Sequence, residues 1–205
     1  AVPGSGDIHA EIMFIGEGPG EQEDKQGLPF VGRSGQYLDY LLKLIGLSRQ
    51  QVFITNVVKH RPPANRDPLP DEIIACKPYL DQQIALIDPL VIVTLGRFSM
   101  ARYFPNAKIS AIHGQPKFDD WRAYFPMLHP AAALRNPQLR WDMETDIKRL
   151  LEIVETVKQR RAGTAAPLDE APATTHASAP PSTPQESVPP ADEDDDAPPT
   201  QLSLF

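Results

Sequence analysis

The stretch Gly16-Glu17-Gly18-Pro19-Gly20-Glu21-Gln22-Glu23-Asp24 sets three glycines within five residues, beside four carboxylates. Backbone without side chains lets a flat or charged ligand approach closely. No Lys-Ser/Thr follows, and four carboxylates repel phosphate, so a phosphate cradle fits poorly. Polarised water or a neutral polar ring fits better. Gly27-Leu28-Pro29-Phe30-Val31-Gly32 follows at once and offers an aromatic floor in Phe30. A second stretch, Thr55-Asn56-Val57-Val58-Lys59-His60-Arg61-Pro62-Pro63-Ala64-Asn65-Arg66-Asp67-Pro68, opens on an amide and continues into cations. The amide of Asn56 can donate and accept hydrogen bonds at once, to a ligand or as a strand-end cap. A third, His129-Pro130-Ala131 running to Leu134-Arg135-Asn136-Pro137, ends an apolar run on an imidazole. Such a histidine either faces a ligand or is satisfied by backbone. Cys76 is the single cysteine, so no internal disulfide is possible.

These residues need a scaffold that brings them together. Four apolar runs read as strands: Glu11–Gly16, Val52–Val58, Leu90–Gly96 and Tyr124–Leu128. Their unbroken apolarity suits strands buried on both faces of a parallel sheet. Helical periodicity covers Gly35–Ile45, Asp71–Ile87 and Asp142–Arg160. Alternating strands and helices predict an α/β fold, a three-layer α/β/α sandwich around a central, mostly parallel four-stranded sheet. Ligands of such sheets sit at the carboxyl ends of the strands. That directs attention to the loops after Ile15, Val58 and Leu128.

The charge is unevenly distributed. The chain has 20 basic and 27 acidic residues, but none of the basic and eight of the acidic residues lie in 162–205. Residues 1–161 are left with 20 basic and 19 acidic groups, a net of +1. The acidic total therefore does not exclude a nucleic-acid partner. Residues 162–200 are rich in Pro, Ala and acids and read as a disordered tether after a domain spanning 1–161. The chain closes on Gln201-Leu202-Ser203-Leu204-Phe205, where Leu202, Leu204 and Phe205 are apolar residues with no core within reach. Runs such as Leu90–Leu95 are far too short to span a bilayer, and no basic-then-apolar leader opens the sequence.

Taken in order and spacing, the three motifs resemble those of the family 4 uracil-DNA glycosylases over about residues 1–155. The resemblance implies a DNA-repair hydrolase that flips uracil from the stack and cuts its N-glycosidic bond, leaving an abasic site. It implies that Phe30 stacks on the base, that Asn56 reads its edge, and that Gly18 and Gly20 line the pocket. His129 would both contact the base and donate to uracil O2 as charge develops there. Glycosylases of another family carry Asp at the position of Gly18, so either another group orients the water or the reaction runs on leaving-group stabilisation alone. Glu17, Glu23 and Asn65 are the candidates, and Glu23 is alternatively a wall against the thymine methyl. Lys59, Arg61, Arg66 and Arg135 would neutralise phosphates, and Leu134 or Arg135 would fill the gap in the helix. The closing peptide is similar to bacterial sliding-clamp-binding motifs through Gln201, Leu202, Leu204 and Phe205. A monomeric, cytoplasmic and nucleoid-associated enzyme is implied, with no membrane partner.

The family also implies a four-iron, four-sulfur (4Fe-4S) cluster. His60 and Cys76 stand at two of its four ligand positions, and the Cys-x-x-Cys that supplies the others is absent. Imidazole can replace thiolate in such centres, yet two ligands cannot hold one. The expectation is that the pair lies upstream of Ala1 and that the intact protein carries the cluster. The alternative is a cluster-free variant. Two other functions compete with turnover: a covalent uracil-DNA binder and a non-catalytic DNA-binding module. The first needs a nucleophilic histidine in the loop Arg61–Pro70, which has none. The second leaves Phe30, Asn56 and His129 without a purpose.

Overall fold

A computed structural model describes residues 1–164. In chain order the elements are β1 (Ser5–Gly6), β2 (Ile12–Gly16), α1 (Glu21–Gln26), α2 (Arg33–Leu44), β3 (Phe53–Asn56), a 3-10 turn (Pro63–Asn65), α3 (Pro70–Ile87) and β4 (Val91–Leu95). There follow α4 (Arg97–Ala101), α5 (Ile109–Ile112), β5 (Lys117–Phe118), β6 (Ala123–Met127), α6 (Pro130–Arg135), α7 (Leu139–Lys148) and α8 (Leu150–Thr164). All but the first three residues of the expected tether lie outside the described residues, as does the peptide Gln201–Phe205.

The four expected strands are present and pair in parallel in the order β3-β2-β4-β6. The sheet has six strands rather than four, because β1 and β5 add an antiparallel edge at either side. Each edge strand pairs only two residues, too few for any periodicity to announce it. Successive side chains of each strand face opposite layers. Ile12 and Phe14 pack with Leu38, Leu41 and Leu42 of α2, Ile147 of α7 and Val154 of α8. Met13 and Ile15 pack with Leu80 and Ile84 of α3. Helices on both faces leave β2 buried throughout. The periodic stretch Asp142–Arg160 is split between α7 and α8 around Arg149. Among the described residues no helix is long and apolar enough to cross a membrane.

Register decides what meets what. Gly16 is paired with Asn56 across β2 and β3, and Leu95 with Met127 across β4 and β6. The carboxyl ends of all four parallel strands therefore open onto one edge.

Candidate active site

A cleft of about 720 Å³ runs along that edge, within the usual size of ligand pockets. Glu17, Gly18 and Gly20 line it from the β2–α1 connection, Glu23 from α1, and Phe30 from the turn before α2. Asn56 comes from the end of β3, Asn65 and Arg66 from the stretch after it, and His129, Leu134 and Arg135 from the end of β6 and α6. Eleven of the expected site residues thus share one cavity.

Phe30 is buried and holds a left-handed backbone, φ +52°. For a bulky residue this conformation costs about 1–3 kcal/mol and persists only where the surroundings enforce it. Gly35 makes room on one side, since a Cβ there would fall 1.7 Å from the Phe30 carbonyl oxygen. Glu23 holds the next two residues: its Oε1 accepts from Val31 N at 2.9 Å and Gly32 N at 2.8 Å. Its Oε2 accepts from Gly20 N at 3.1 Å, capping α1. One carboxylate therefore ties the glycine-rich turn to the aromatic turn. The Phe30 ring lies 5.8 Å from the His129 ring, tilted by 32°. Gly16 keeps this corner open, because a Cβ there would fall 2.4 Å from Asn56 Oδ1 and 2.6 Å from Phe30 Cζ.

Asn56 ends β3 with its side chain 1% exposed, and among the described residues its Oδ1 has no hydrogen-bond partner. Buried acceptors are almost always paired. An orphan beside an aromatic face is a place for a ligand N–H.

His129 caps α6, its Nδ1 accepting from Ala131 N at 3.1 Å. With Nδ1 as acceptor, the proton of the neutral ring is assigned to Nε2. Burial, with Arg135 nearby adding to it, pushes the imidazole down to about 4. The ring is therefore neutral at neutral pH and offers a donor to the cleft. Glu17 has its carboxyl raised, chiefly by burial and then by Asp67, against the pull of Arg97 and Arg135.

The cations divide. Arg135 lies exposed at the rim beside half-buried Leu134. Arg66 forms a two-pronged pair with Glu72, at 2.7 and 2.9 Å. Arg61 Nε donates to Asn65 Oδ1 at 2.7 Å, fixing a residue that itself has φ +54°. Lys59, expected to face phosphate, does not. It is 5% exposed, and its Nζ donates to Thr55 Oγ1 at 2.7 Å and to Asn56 O and Gln83 Oε1 at 2.8 Å each. Burial pushes this ammonium down to about 8. It supports β3 from inside, out of reach of any backbone phosphate. The cleft adds Arg33 and Arg97 in its place. Arg97 pairs with Asp67 and lies over the Phe98 ring, 4.5 Å from the centroid. Its signal was positional: it follows Gly96 at the end of β4, another carboxyl end of the sheet.

Two of the four expected iron–sulfur ligand positions, His60 and Cys76, are filled in this chain. Cys76 is half-buried on α3, its Sγ accepting from Lys59 N at 3.3 Å, and His60 is exposed. Among the described residues no three His, Cys, Asp or Glu side chains are grouped to hold a metal. One thiol and one imidazole cannot saturate a 4Fe-4S cluster. The 205-residue chain, reconstituted anaerobically with iron and sulfide, is expected to remain colourless after desalting. Brown protein with stoichiometric iron by colorimetric assay would show that other donors complete the set.

The comparisons bear on this cleft directly. The model of the Uracil DNA glycosylase superfamily matches residues 3–155. The type-4 uracil-DNA glycosylase of Sulfurisphaera tokodaii is 51% identical over 169 residues, covering 78% of this chain and 77% of that protein. That of Saccharolobus solfataricus is 51% identical over 166 residues, with 76% and 77% covered. That of Archaeoglobus fulgidus is 45% identical over 162 residues, with 74% and 81% covered. These matches take in the glycine-rich turn, the β3 end and the β6 end that together form the cleft, and on that ground the chain belongs to the uracil DNA glycosylase superfamily.

Proposed function

We propose that this protein excises uracil from DNA, hydrolysing the bond between uracil N1 and the deoxyribose C1′ to leave an abasic site. The observation that carries the reading is the unpaired Oδ1 of Asn56 beside the Phe30 ring. Uracil stacked on Phe30 presents N3–H as a donor and O4 as an acceptor, matching an amide. As the glycosidic bond breaks, the electron pair passes to the pyrimidine and negative charge grows on O2. His129 Nε2–H donates there, so the interaction strengthens in the transition state. Water supplies the hydroxyl at C1′, and its proton is lost to solvent or to the departing base. We assign its orientation to Glu17, whose carboxylate, unlike that of Glu23, is not committed to backbone amides. Glu23 acts by holding the Phe30 turn.

The flipped strand lies along Arg33, Arg97 and Arg135, and Leu134 fills the vacated stack. The test is incubation with a labelled single-stranded uracil oligonucleotide followed by alkali. Strand scission is expected. A shifted protein band that survives denaturation would mean a covalent binder, and neither result would mean a non-catalytic module.

We also assign Gln201, Leu202, Leu204 and Phe205 to a bacterial sliding clamp, with the enzyme monomeric and working at the nucleoid. Apolar anchors after a polar, acidic stretch suit a partner groove, and binding to such a partner raises the local concentration of enzyme near newly copied DNA. Removal of residues 201–205 is expected to abolish micromolar binding to a purified clamp while sparing excision from free oligonucleotides. Equal binding by both forms would remove the clamp as a partner.

A further inference from the structure

Phe30 carries its ring into the cleft on a backbone that its own chemistry disfavours. Glu23 holds the Phe30–Val31 peptide from its N–H side, through Val31 N, and the next peptide through Gly32 N, but it leaves the Phe30 carbonyl and the Pro29–Phe30 peptide unheld. The Phe30 carbonyl is turned the other way, against the α2 backbone at Gly35. There it meets Arg49, from the α2–β3 connection. The guanidinium donates through one terminal nitrogen to Phe30 O at 2.6 Å, and through the other to Pro29 O at 3.3 Å. Its Nε donates to Asp39 Oδ1 at 2.9 Å, so α2 fixes the plane of the fork. Arg49 does not line the cleft. It is 19 residues from Phe30 in sequence.

We propose that Arg49 is a positioning residue that sets the aromatic floor of the base pocket, holding Phe30 in its left-handed conformation by gripping two consecutive carbonyls. This rests on the proposed stacking of uracil on Phe30. Two adjacent carbonyls presented to one side need two donors in a fixed plane. A guanidinium supplies them, whereas an ammonium on a flexible stem grips one point. Without the fork, the Pro29 and Phe30 carbonyls lose their donors. Only the Glu23 bonds to Val31 N and Gly32 N then remain, and the Pro29–Phe30 peptide can rotate to bring Phe30 to negative φ, which swings the ring from its place beside Gly16 and His129. A stacking floor contacts the base equally before and during bond cleavage. Its loss should therefore weaken binding more than it slows the chemical step.

The experiment measures excision kinetics and inhibition by free uracil for the wild type, Arg49→Met, Arg49→Lys and Asp39→Asn. It is paired with thermal melting and a crystal structure of Arg49→Met. For Arg49→Met we expect KM and the uracil inhibition constant to rise together by about tenfold, with kcat within about threefold. Arg49→Lys should fall between wild type and Arg49→Met, and Asp39→Asn should move both constants the same way by a smaller factor. A purely structural role would lower the melting temperature or the active fraction and leave KM and uracil inhibition unmoved, and that result would overturn the proposal. So would a crystal structure of Arg49→Met in which Phe30 keeps positive φ and its contact with His129. If Arg49→Met does not fold, Arg49→Lys with wild-type KM and uracil inhibition overturns it equally. A wild type that released no uracil would defeat the proposed function instead. The Phe30 backbone in the variant crystal would then still decide the role of Arg49.

Discussion

His129→Ala is expected to slow uracil release by about 10²–10³-fold while leaving DNA affinity nearly unchanged. The split follows from where the ring sits. Its Nδ1 is occupied by the Ala131 amide and its Nε2–H faces the cleft. The hydrogen bond from Nε2 gains strength only as charge moves onto the base, so it contributes little to ground-state binding. Single-turnover rates against equilibrium binding to uracil DNA would measure the two effects separately. An equal loss in both would mean that the imidazole serves only to cap α6. Acid titration gives an independent check. The folded-state value near 4 lies below the ordinary 6.5, so protonation favours the unfolded chain. The stability that His129 contributes is fully present above about pH 6.5. It falls away as pH drops through the folded-state value. Melting temperatures of the wild type should therefore decline more steeply over that window than those of His129→Ala. Parallel declines would mean that the imidazole is not held neutral by its burial.

The main layout of this site was legible because it follows from two regularities. Parallel strands buried on both faces read as unbroken apolar runs, and their carboxyl ends mark where ligands bind. Glu17 and His129 each follow such a run directly, Asn56 lies within one near its carboxyl end, and Gly16 pairs with Asn56 in the sheet. What was hidden depends on partners far away in sequence. Lys59 reads as a surface cation among cations. Its burial is set by Gln83, 24 residues on, whose amide in turn donates to Pro3 O across 80 residues. No local pattern carries that information. Arg49 was hidden for the same reason, since its meaning lies in two carbonyls about 20 residues earlier. The edge strands β1 and β5 and the short helices α1, α4, α5 and α6 are too brief for periodicity to register. Arg97 and Arg33 carry no motif of their own and lie outside the loops after Ile15, Val58 and Leu128, just after β4 and at the start of α2.

Asn56→Asp is expected to dismantle the discrimination between uracil and cytosine. A site built to pair with particular polar edges separates matched from mismatched ligands by about 10⁴–10⁵. On the proposed reading Asn56 supplies one acceptor and one donor from a residue that is 1% exposed. An ionised aspartate keeps the acceptor for N3–H but turns a lone pair toward O4. That leaves repulsion where there was a hydrogen bond, so uracil excision should fall by about 10² or more. Burial, however, disfavours the charged carboxyl and raises its pKa, so a fraction carries a proton. The acid form can donate to cytosine N3 and accept from cytosine N4–H, which the amide as oriented for uracil cannot. The variant should therefore gain a slow cytosine activity that increases as pH falls, whereas Asn56→Ala should lose uracil excision and gain none. Parallel assays on uracil and cytosine oligonucleotides across a pH series would read both effects. If Asn56→Asp kept wild-type uracil excision and remained inert toward cytosine at every pH, the edge of the base would be read by some group other than Asn56.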